Sequence, residues 1–277
     1  MKTPAFLLVL LASTFSAAAA GVPADEPNPL ASYSYPIFVL SGNEQFTGTA
    51  FFYRSADTTY LVSNYHAIKG MSPVKQRINF TTDTIYLKYP MRNSSETKLL
   101  PIDVSDEVTG TTEIFSMVNR IDLLKIPVVL PDDARVSFIN EIVDPAYLNQ
   151  DPEEVLVYGF PTGDGPVPAF YSRMQKLSGK INPDGFEEYD ASLRLDFPDA
   201  SDSAKSLITG TSRYYYFLKP YAAQGYSGAP VIGRFLLPDG SSVYRFIGVV
   251  FAGQPATRQT WAIKGSVALD YLEKELQ

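Results

Sequence analysis

The sequence predicts an all-β protein built from two successive β units, and three observations carry that prediction. Of its 277 residues, 45% are hydrophobic and 19% charged, the balance of a chain that folds around a core. Its 21 Pro and 18 Gly stand among 18 Tyr and 17 Phe, so turn formers punctuate residues that favour a pleated surface. Apolar or alternating runs of strand length recur in two series, separated by the turn-rich Leu130-Pro131-Asp132-Asp133.

Residues 1–20 stand apart from both series. Lys2 is followed by the apolar run Ala5-Phe6-Leu7-Leu8-Val9-Leu10-Leu11-Ala12 and by small residues ending Ala18-Ala19-Ala20-Gly21. This is the layout of a secretory signal peptide cleaved after Ala20, and it predicts a secreted or periplasmic protein. The run is short for a permanent membrane anchor, and no later segment supplies one. Residues 21–35 are rich in Pro, Ala and acidic side chains without periodicity, and read as a mobile leader or a propeptide.

The first β unit is predicted over residues 36–131, with strand-length runs at 37–40, 46–53, 60–63, 84–89, 99–104, 112–117 and 122–129. Residues 132–151 show no strand period and form the crossing to a second unit over 152–265. Its runs are 155–160, 169–177, 193–197, 214–218, 230–236, 243–251 and 260–264, with Asp239-Gly240 as the turn between the fifth and sixth. The polar stretch 179–212, with Pro183-Asp184-Gly185 and Pro198-Asp199-Ala200, reads as a long excursion. Residues 266–277 place apolar side chains at helical spacing after Ser266 and are predicted as a terminal helix.

Charge and residue counts then remove several function classes. A net charge of −7 with no run of Lys or Arg argues against a nucleic-acid partner. With no cysteine, disulfides, thiol nucleophiles and thiolate metal sites are excluded together, and the core alone must hold a secreted chain of this size. His66 is the single histidine, so the imidazole and thiolate ligands of an ordinary zinc site are missing, and any imidazole acid–base chemistry must use His66. No metal or organic cofactor is expected.

Three short motifs carry the chemistry. Gln224-Gly225-Tyr226-Ser227-Gly228-Ala229-Pro230 sets a serine among glycines just before an apolar strand, where a sharp turn presents Oγ beside adjacent N–H groups. Taken alone it equally marks a strand-entering turn. Tyr60-Leu61-Val62-Ser63-Asn64-Tyr65-His66 runs a strand into an imidazole that faces either a cleft or the core. Arg120-Ile121-Asp122-Leu123-Leu124-Lys125-Ile126 heads an apolar strand with a carboxylate that either orients an imidazole or caps the strand.

In the order His, Asp, Ser, with the first two in the first unit and the third in the second, these motifs resemble those of the chymotrypsin-like serine proteases. Gly48-Thr49-Ala50-Phe51-Phe52 is similar to the family's lead-in to the histidine strand, and Tyr158-Gly159-Phe160-Pro161-Thr162-Gly163 to an element of cysteine-poor secreted bacterial members. The resemblance spans roughly residues 36–275. It implies two six-stranded antiparallel β-barrels with the active site in the cleft between them, and a serine endopeptidase acting on protein or peptide substrates through an acyl-enzyme.

Carried over, the resemblance makes His66 the general base, Asp122 its orienting carboxylate and Ser227 the nucleophile, with the N–H groups of Gly225 and Ser227 as oxyanion hole. It makes Phe251, Ala252 and Gly253 the strand that pairs with an extended substrate, and puts Tyr221 near the floor of the pocket for the substrate side chain. The chain departs from the family at two places. Tyr226 precedes the nucleophile where digestive relatives have an Asp that binds a new N-terminus, and Phe251 replaces a Ser that supports the catalytic Asp. Lys219-Pro220-Tyr221-Ala222-Ala223-Gln224 holds no carboxylate, which disfavours cleavage after Arg or Lys and points to a small or medium apolar side chain.

Three rivals were weighed. An α/β-hydrolase needs its His after the nucleophilic Ser, and none follows Ser227. A catalytically inactive protease-like domain that binds a protein or peptide partner is the alternative, favoured by Tyr226 and Phe251. An unrelated secreted β-sandwich adhesion module leaves unexplained why the one His stands in the family's motif.

Overall fold

The computed structural model describes residues 28–41, 44–72, 77–78, 82–105, 121–162, 172–187, 212–219, 221–255 and 257–274. The expected signal peptide and residues 21–27 of the expected leader lie outside the described residues, as do the expected strands at 112–117 and 193–197 and most of the 179–212 excursion. In chain order the first strands are β1 (Tyr35–Ser41), β2 (Glu44–Ser55), β3 (Thr58–Ser63), β4 (Met71–Ser72), β5 (Arg77–Ile78), β6 (Thr84–Pro90), β7 (Thr97–Asp103) and β8 (Leu124–Pro127). The second set is β9 (Glu154–Gly159), β10 (Gln175–Ile181), β11 (Tyr215–Lys219), β12 (Pro230–Leu236), β13 (Ser242–Gln254) and β14 (Gln259–Lys264). Helices α1 (Tyr65–Lys69) and α2 (Gly265–Glu273) stand among these strands.

Twelve of these strands form two six-stranded antiparallel units, and β4 and β5 pair with each other. The first is a curved sheet in the order β7-β6-β1-β2-β3-β8, and the second is a closed barrel, β10-β11-β14-β13-β12-β9. Among the described residues the first is a half-barrel and the second a closed one, in keeping with the two six-stranded units expected.

Strand alternation explains why so many of these runs are apolar throughout. On β2, Ala50 and Phe52 enter the core of the first unit while Phe51 and Tyr53 face a central core between the units. On β9, Val155 and Val157 fill the second barrel while Leu156 and Tyr158 join the same central core. Strands covered on both faces lose the polar half of the two-residue pattern. The Phe51 and Phe246 rings, one from each unit, meet in that central core at 5.9 Å.

Several boundaries differ from expectation, each for a local reason. Residues 28–34 are not a mobile leader: Asn28 caps a 3₁₀ turn over Pro29–Tyr33, and Leu30 and Tyr33 are buried in the central core. The strand expected from 122 starts at Leu124, because the Leu123 N–H donates back to the Ile121 carbonyl at 2.8 Å and kinks the chain at Asp122. The strand expected over 169–177 is β10, which runs from Gln175 and alternates half-buried Leu177, Gly179 and Ile181 with exposed polar residues. The crossing over 132–151 holds two further 3₁₀ turns, Ile139–Ile142 and Pro145–Tyr147. The Asp239-Gly240 turn stands as expected, with Gly240 at φ +83°.

Helix α2 packs on the central core through Ala268, Leu269 and Leu272. Its C-terminal carbonyls are met by a lysine of the first unit. Lys125 on β8 is 2% exposed, and its Nζ donates to the Leu272 carbonyl at 2.9 Å and also to the Lys274 carbonyl. It lies 5.1 Å from the centroid of the Tyr60 ring and 5.9 Å from that of Tyr271. A cation at the negative end of a helix dipole is well placed, though burial still draws the Lys125 pKa below its ordinary value.

Candidate active site

His66 stands in the first turn of α1, directly after β3. Gly70 ends the helix in the left-handed region at φ +72°, with its N–H donating to the His66 carbonyl at 3.0 Å. Gly48 on β2 lets the helix pack closely, since a Cβ there would lie 3.2 Å from the Ala67 Cβ. Asn64 precedes the helix but does not cap it with its side chain. Its amide instead donates to the Asp122 carbonyl at 2.6 Å and pins the kink before β8.

That kink aims the Asp122 carboxylate, 4% exposed, at the imidazole. Oδ1 accepts from the His66 backbone N–H at 3.1 Å, and Oδ2 accepts from His66 Nδ1. Since an ionised carboxylate only accepts, the neutral ring carries its proton on Nδ1 and leaves Nε2 as acceptor. Ser227 Oγ lies 2.9 Å from Nε2 and donates to it. Burial lowers the His66 pKa, but the Asp122 charge and hydrogen bond outweigh it and hold the imidazole above its ordinary 6.5.

The Ser227 turn is shaped by two glycines in the left-handed region, Gly225 at φ +100° and Gly228 at φ +86°. A Cβ on Gly225 would sit 2.3 Å from the Phe160 carbonyl oxygen, and one on Gly228 would sit 2.0 Å from that of Thr49. The Gln224 carbonyl accepts from Thr162 N–H at 2.9 Å, so across a trans peptide the Gly225 N–H points the opposite way. The N–H groups of Gly225 and Ser227 have no acceptor among the described residues. They are free to meet a developing negative charge.

A residue that the sequence reading quoted only within a lead-in motif fastens this turn to the first unit. Thr49 is fully buried, its N–H donates to the Ser227 carbonyl at 2.9 Å, and its Oγ1 donates to the Gly225 carbonyl at 2.8 Å. The same Oγ1 accepts from Phe160 N–H at 3.1 Å, while Ser63 Oγ donates to the Thr49 carbonyl at 2.7 Å. A hydroxyl between Gly48 and the apolar Ala50-Phe51-Phe52 run is the one trace of this in the sequence.

The expected substrate strand is placed beside this turn. β13 pairs with β12 only as far as Val249, while Ala252 and Gly253 pair with Trp261 and Thr260 of β14 on the other side. Ala252 is half-buried and Gly253 exposed, leaving a strand edge that an extended peptide can join. Phe251 offers this edge its main chain but no side chain. A bulge at Val250/Ala252 turns its ring into the central core, 4.5 Å from Tyr215 and 6.1 Å from Trp261. Phe251 likewise lends Asp122 no hydroxyl. Tyr221 lies across from the edge: a Cβ on Gly253 would be 2.8 Å from Tyr221 Cε2 and 2.2 Å from the Ala222 carbonyl oxygen. Ala222 N–H donates to Thr260 Oγ1 at 2.6 Å and holds that wall in place.

Among the described residues no group of three or more potential metal ligands is found, and no helix is long and apolar enough to cross a membrane.

No family model and no curated protein matches the chain. Among solved structures, it is similar to a thermostable serine protease from an extremophilic microorganism, at 13% identity and a TM-score of 0.51 over 88% of this chain and 96% of that one. It is also similar to an inactivated protease paralogue of the scabies mite, at 12% identity and a TM-score of 0.51 over 89% of this chain and 95% of that one. At such identities the likeness carries the architecture, and the chain has the chymotrypsin-like serine protease fold.

Proposed function

We propose that the protein is a secreted serine endopeptidase that hydrolyses peptide bonds through an acyl-enzyme. The observation that carries this reading is the unbroken hydrogen-bonded path from Ser227 Oγ through both ring nitrogens of His66 to the buried Asp122 carboxylate. Secretion rests on the Lys2 to Ala20 leader.

In this reading Ser227 Oγ attacks the scissile carbonyl as His66 Nε2 takes its proton, and the carbonyl π electrons move onto oxygen. That oxyanion is met by the N–H groups of Gly225 and Ser227. Asp122 keeps the ring in the productive tautomer and stabilises the imidazolium without itself being protonated. Collapse breaks the C–N bond, and His66 returns the proton to the leaving amine. A water activated by the same imidazole then cleaves the acyl ester and regenerates Ser227. The substrate lies as an added strand on the 251–254 edge.

The rival reading, a protease-shaped domain that binds peptides without cleaving them, is favoured by Phe251, which leaves the Asp122 carboxylate with hydrogen bonds from His66 alone among the described residues. Treatment with a fluorophosphonate probe separates the two. The expected result is one phosphonylation, at Ser227, absent from Ser227→Ala and His66→Ala. Because the His66 pKa is raised, the imidazole becomes a base only above its ordinary value, so labelling increases with pH through a midpoint above 6.5. A folded wild type that takes no label between about pH 6 and 9 establishes the binding domain instead.

The approach of Tyr221 to Gly253 narrows the space below the cleft, and the preferred substrate side chain is small or medium and apolar. A Tyr221→Ala variant is expected to move the optimum in a peptide-library screen toward Leu and Phe, with at least a tenfold change in the kcat/KM ratio for Phe over Ala, about 1.4 kcal/mol. An unchanged profile removes Tyr221 from the pocket.

A further inference from the structure

The turn that carries Ser227 is intrinsically loose, since Gly225 and Gly228 bring conformational freedom that folding has to remove. Thr49 holds its carbonyl oxygens from the first unit. On the side of the second barrel the turn is held by Tyr226. This side chain is 2% exposed within the second-barrel core, and its ring covers Gly159 so closely that a Cβ there would lie 2.3 Å from Tyr226 Cδ1. The Tyr226 hydroxyl is buried with no hydrogen-bond partner among the described residues. Burial pushes its pKa up to about 12, so the residue carries no charge at working pH. What it contributes is buried aromatic area.

The start of the described chain docks elsewhere. Asn28 Nδ2 donates to the Tyr158 hydroxyl at 2.7 Å. Tyr158 and Gly159 are consecutive in β9 and face opposite sides of the sheet, Tyr158 toward the central core and Gly159 toward Tyr226. Asn28 and Tyr226 therefore lie on opposite faces of β9.

We infer that Tyr226 is the positioning residue that holds the Gly225 and Ser227 N–H donors in place by burying its ring against Gly159, so that the oxyanion loop is formed whatever the state of the chain before Asn28. This rests on the peptidase reading. A carboxylate at position 226 would need a cationic partner to be buried, whereas an apolar ring needs none, and competence is built into the fold rather than released by trimming.

Two sets of proteins test this. The full 277-residue chain, the chain beginning at Gly21, and the latter with its α-amine acetylated are compared in kcat/KM on one peptide substrate. All three are expected to agree within about twofold. Separately, Tyr226→Phe, Tyr226→Leu and Tyr226→Ala are compared with wild type, their folding checked by the fluorescence of the single tryptophan, Trp261. The Phe variant keeps the ring and is expected to hold wild-type kcat within about twofold. The Ala variant is expected to lose about 100-fold in kcat with KM changed less than threefold, the scale of losing one oxyanion donor. A peptidyl aldehyde, which forms an oxyanion on Ser227, should lose affinity by a similar factor relative to the matching alcohol, which forms none. If the Ala variant does not fold, the Leu variant decides by the same aldehyde-to-alcohol ratio.

A tenfold loss in Tyr226→Phe, an unchanged ratio in the folded Ala or Leu variant, or activity that requires a free α-amine overturns the inference while leaving the peptidase reading intact. A wild type inert in all three N-terminal forms overturns the peptidase reading, and the inference with it.

Discussion

Ser227→Ala is expected to lower kcat by about 10⁶-fold and to leave KM for a peptide substrate nearly unchanged. His66→Ala should cost about as much, and the double variant no more than either alone. The reason lies in the geometry. In the proposed mechanism Ser227 Oγ, His66 Nε2 and the carboxylate behind them act in one proton transfer, so once one partner is gone the others have nothing to complete. The strand edge at Ala252 and Gly253 and the two free N–H groups are untouched by either substitution. Residual hydrolysis of about 10³–10⁴ over water should therefore persist in all three variants. Single-turnover measurements check this directly. Losses that multiply in the double variant would mean that the two residues act in separate steps, against the acyl-enzyme scheme.

Asp122→Asn is expected to cost about 10⁴-fold in kcat without disturbing the fold. An amide nitrogen facing Nδ1 donates where the carboxylate accepted, which drives the imidazole proton onto Nε2 and presents Ser227 with a donor instead of a base. The variant also reverses the titration. In the wild type the Asp122 charge and hydrogen bond hold the His66 pKa above 6.5 against the opposing effect of burial. With the charge removed, burial is left as the larger influence, and the acid limb of the residual activity moves below 6.5. A pH–rate profile of kcat/KM shows both changes together. An acid limb that stays put would mean that His66 is not the titrating base.

How much of this was legible in the sequence follows from the range of each interaction. The site residues stand in short local motifs, and because the chain has one His, its pairing with an Asp and a Ser left few alternatives. Thr49 was not legible, since its bond to Gly225 joins residues 176 apart and leaves no mark except a hydroxyl in an apolar run. The direction of Phe251 was hidden by a bulge, which breaks the two-residue period from which side-chain direction is read. β10 was misplaced because its outward residues are polar, and the apolar run just before it gave the stronger signal. The leader was misread from Asn28 onward because a 3₁₀ turn buries only Leu30 and Tyr33, too few residues to show a period.

The lysine under the terminal helix has a consequence in time. Synthesis delivers His66, Asp122 and Lys125 first, Ser227 about a hundred residues later, and the carbonyls of Leu272 and Lys274 later still. Until those carbonyls arrive, the Lys125 ammonium has only water to hold, and the strand that begins two residues after Asp122 cannot be sealed against the central core without stranding a charge. The final turn of α2 is thus a closing act on the first unit. In the peptidase reading proposed above, a copy that still lacks α2 is substrate for its finished siblings and not yet an agent, so self-digestion during maturation should depend on the concentration of completed molecules.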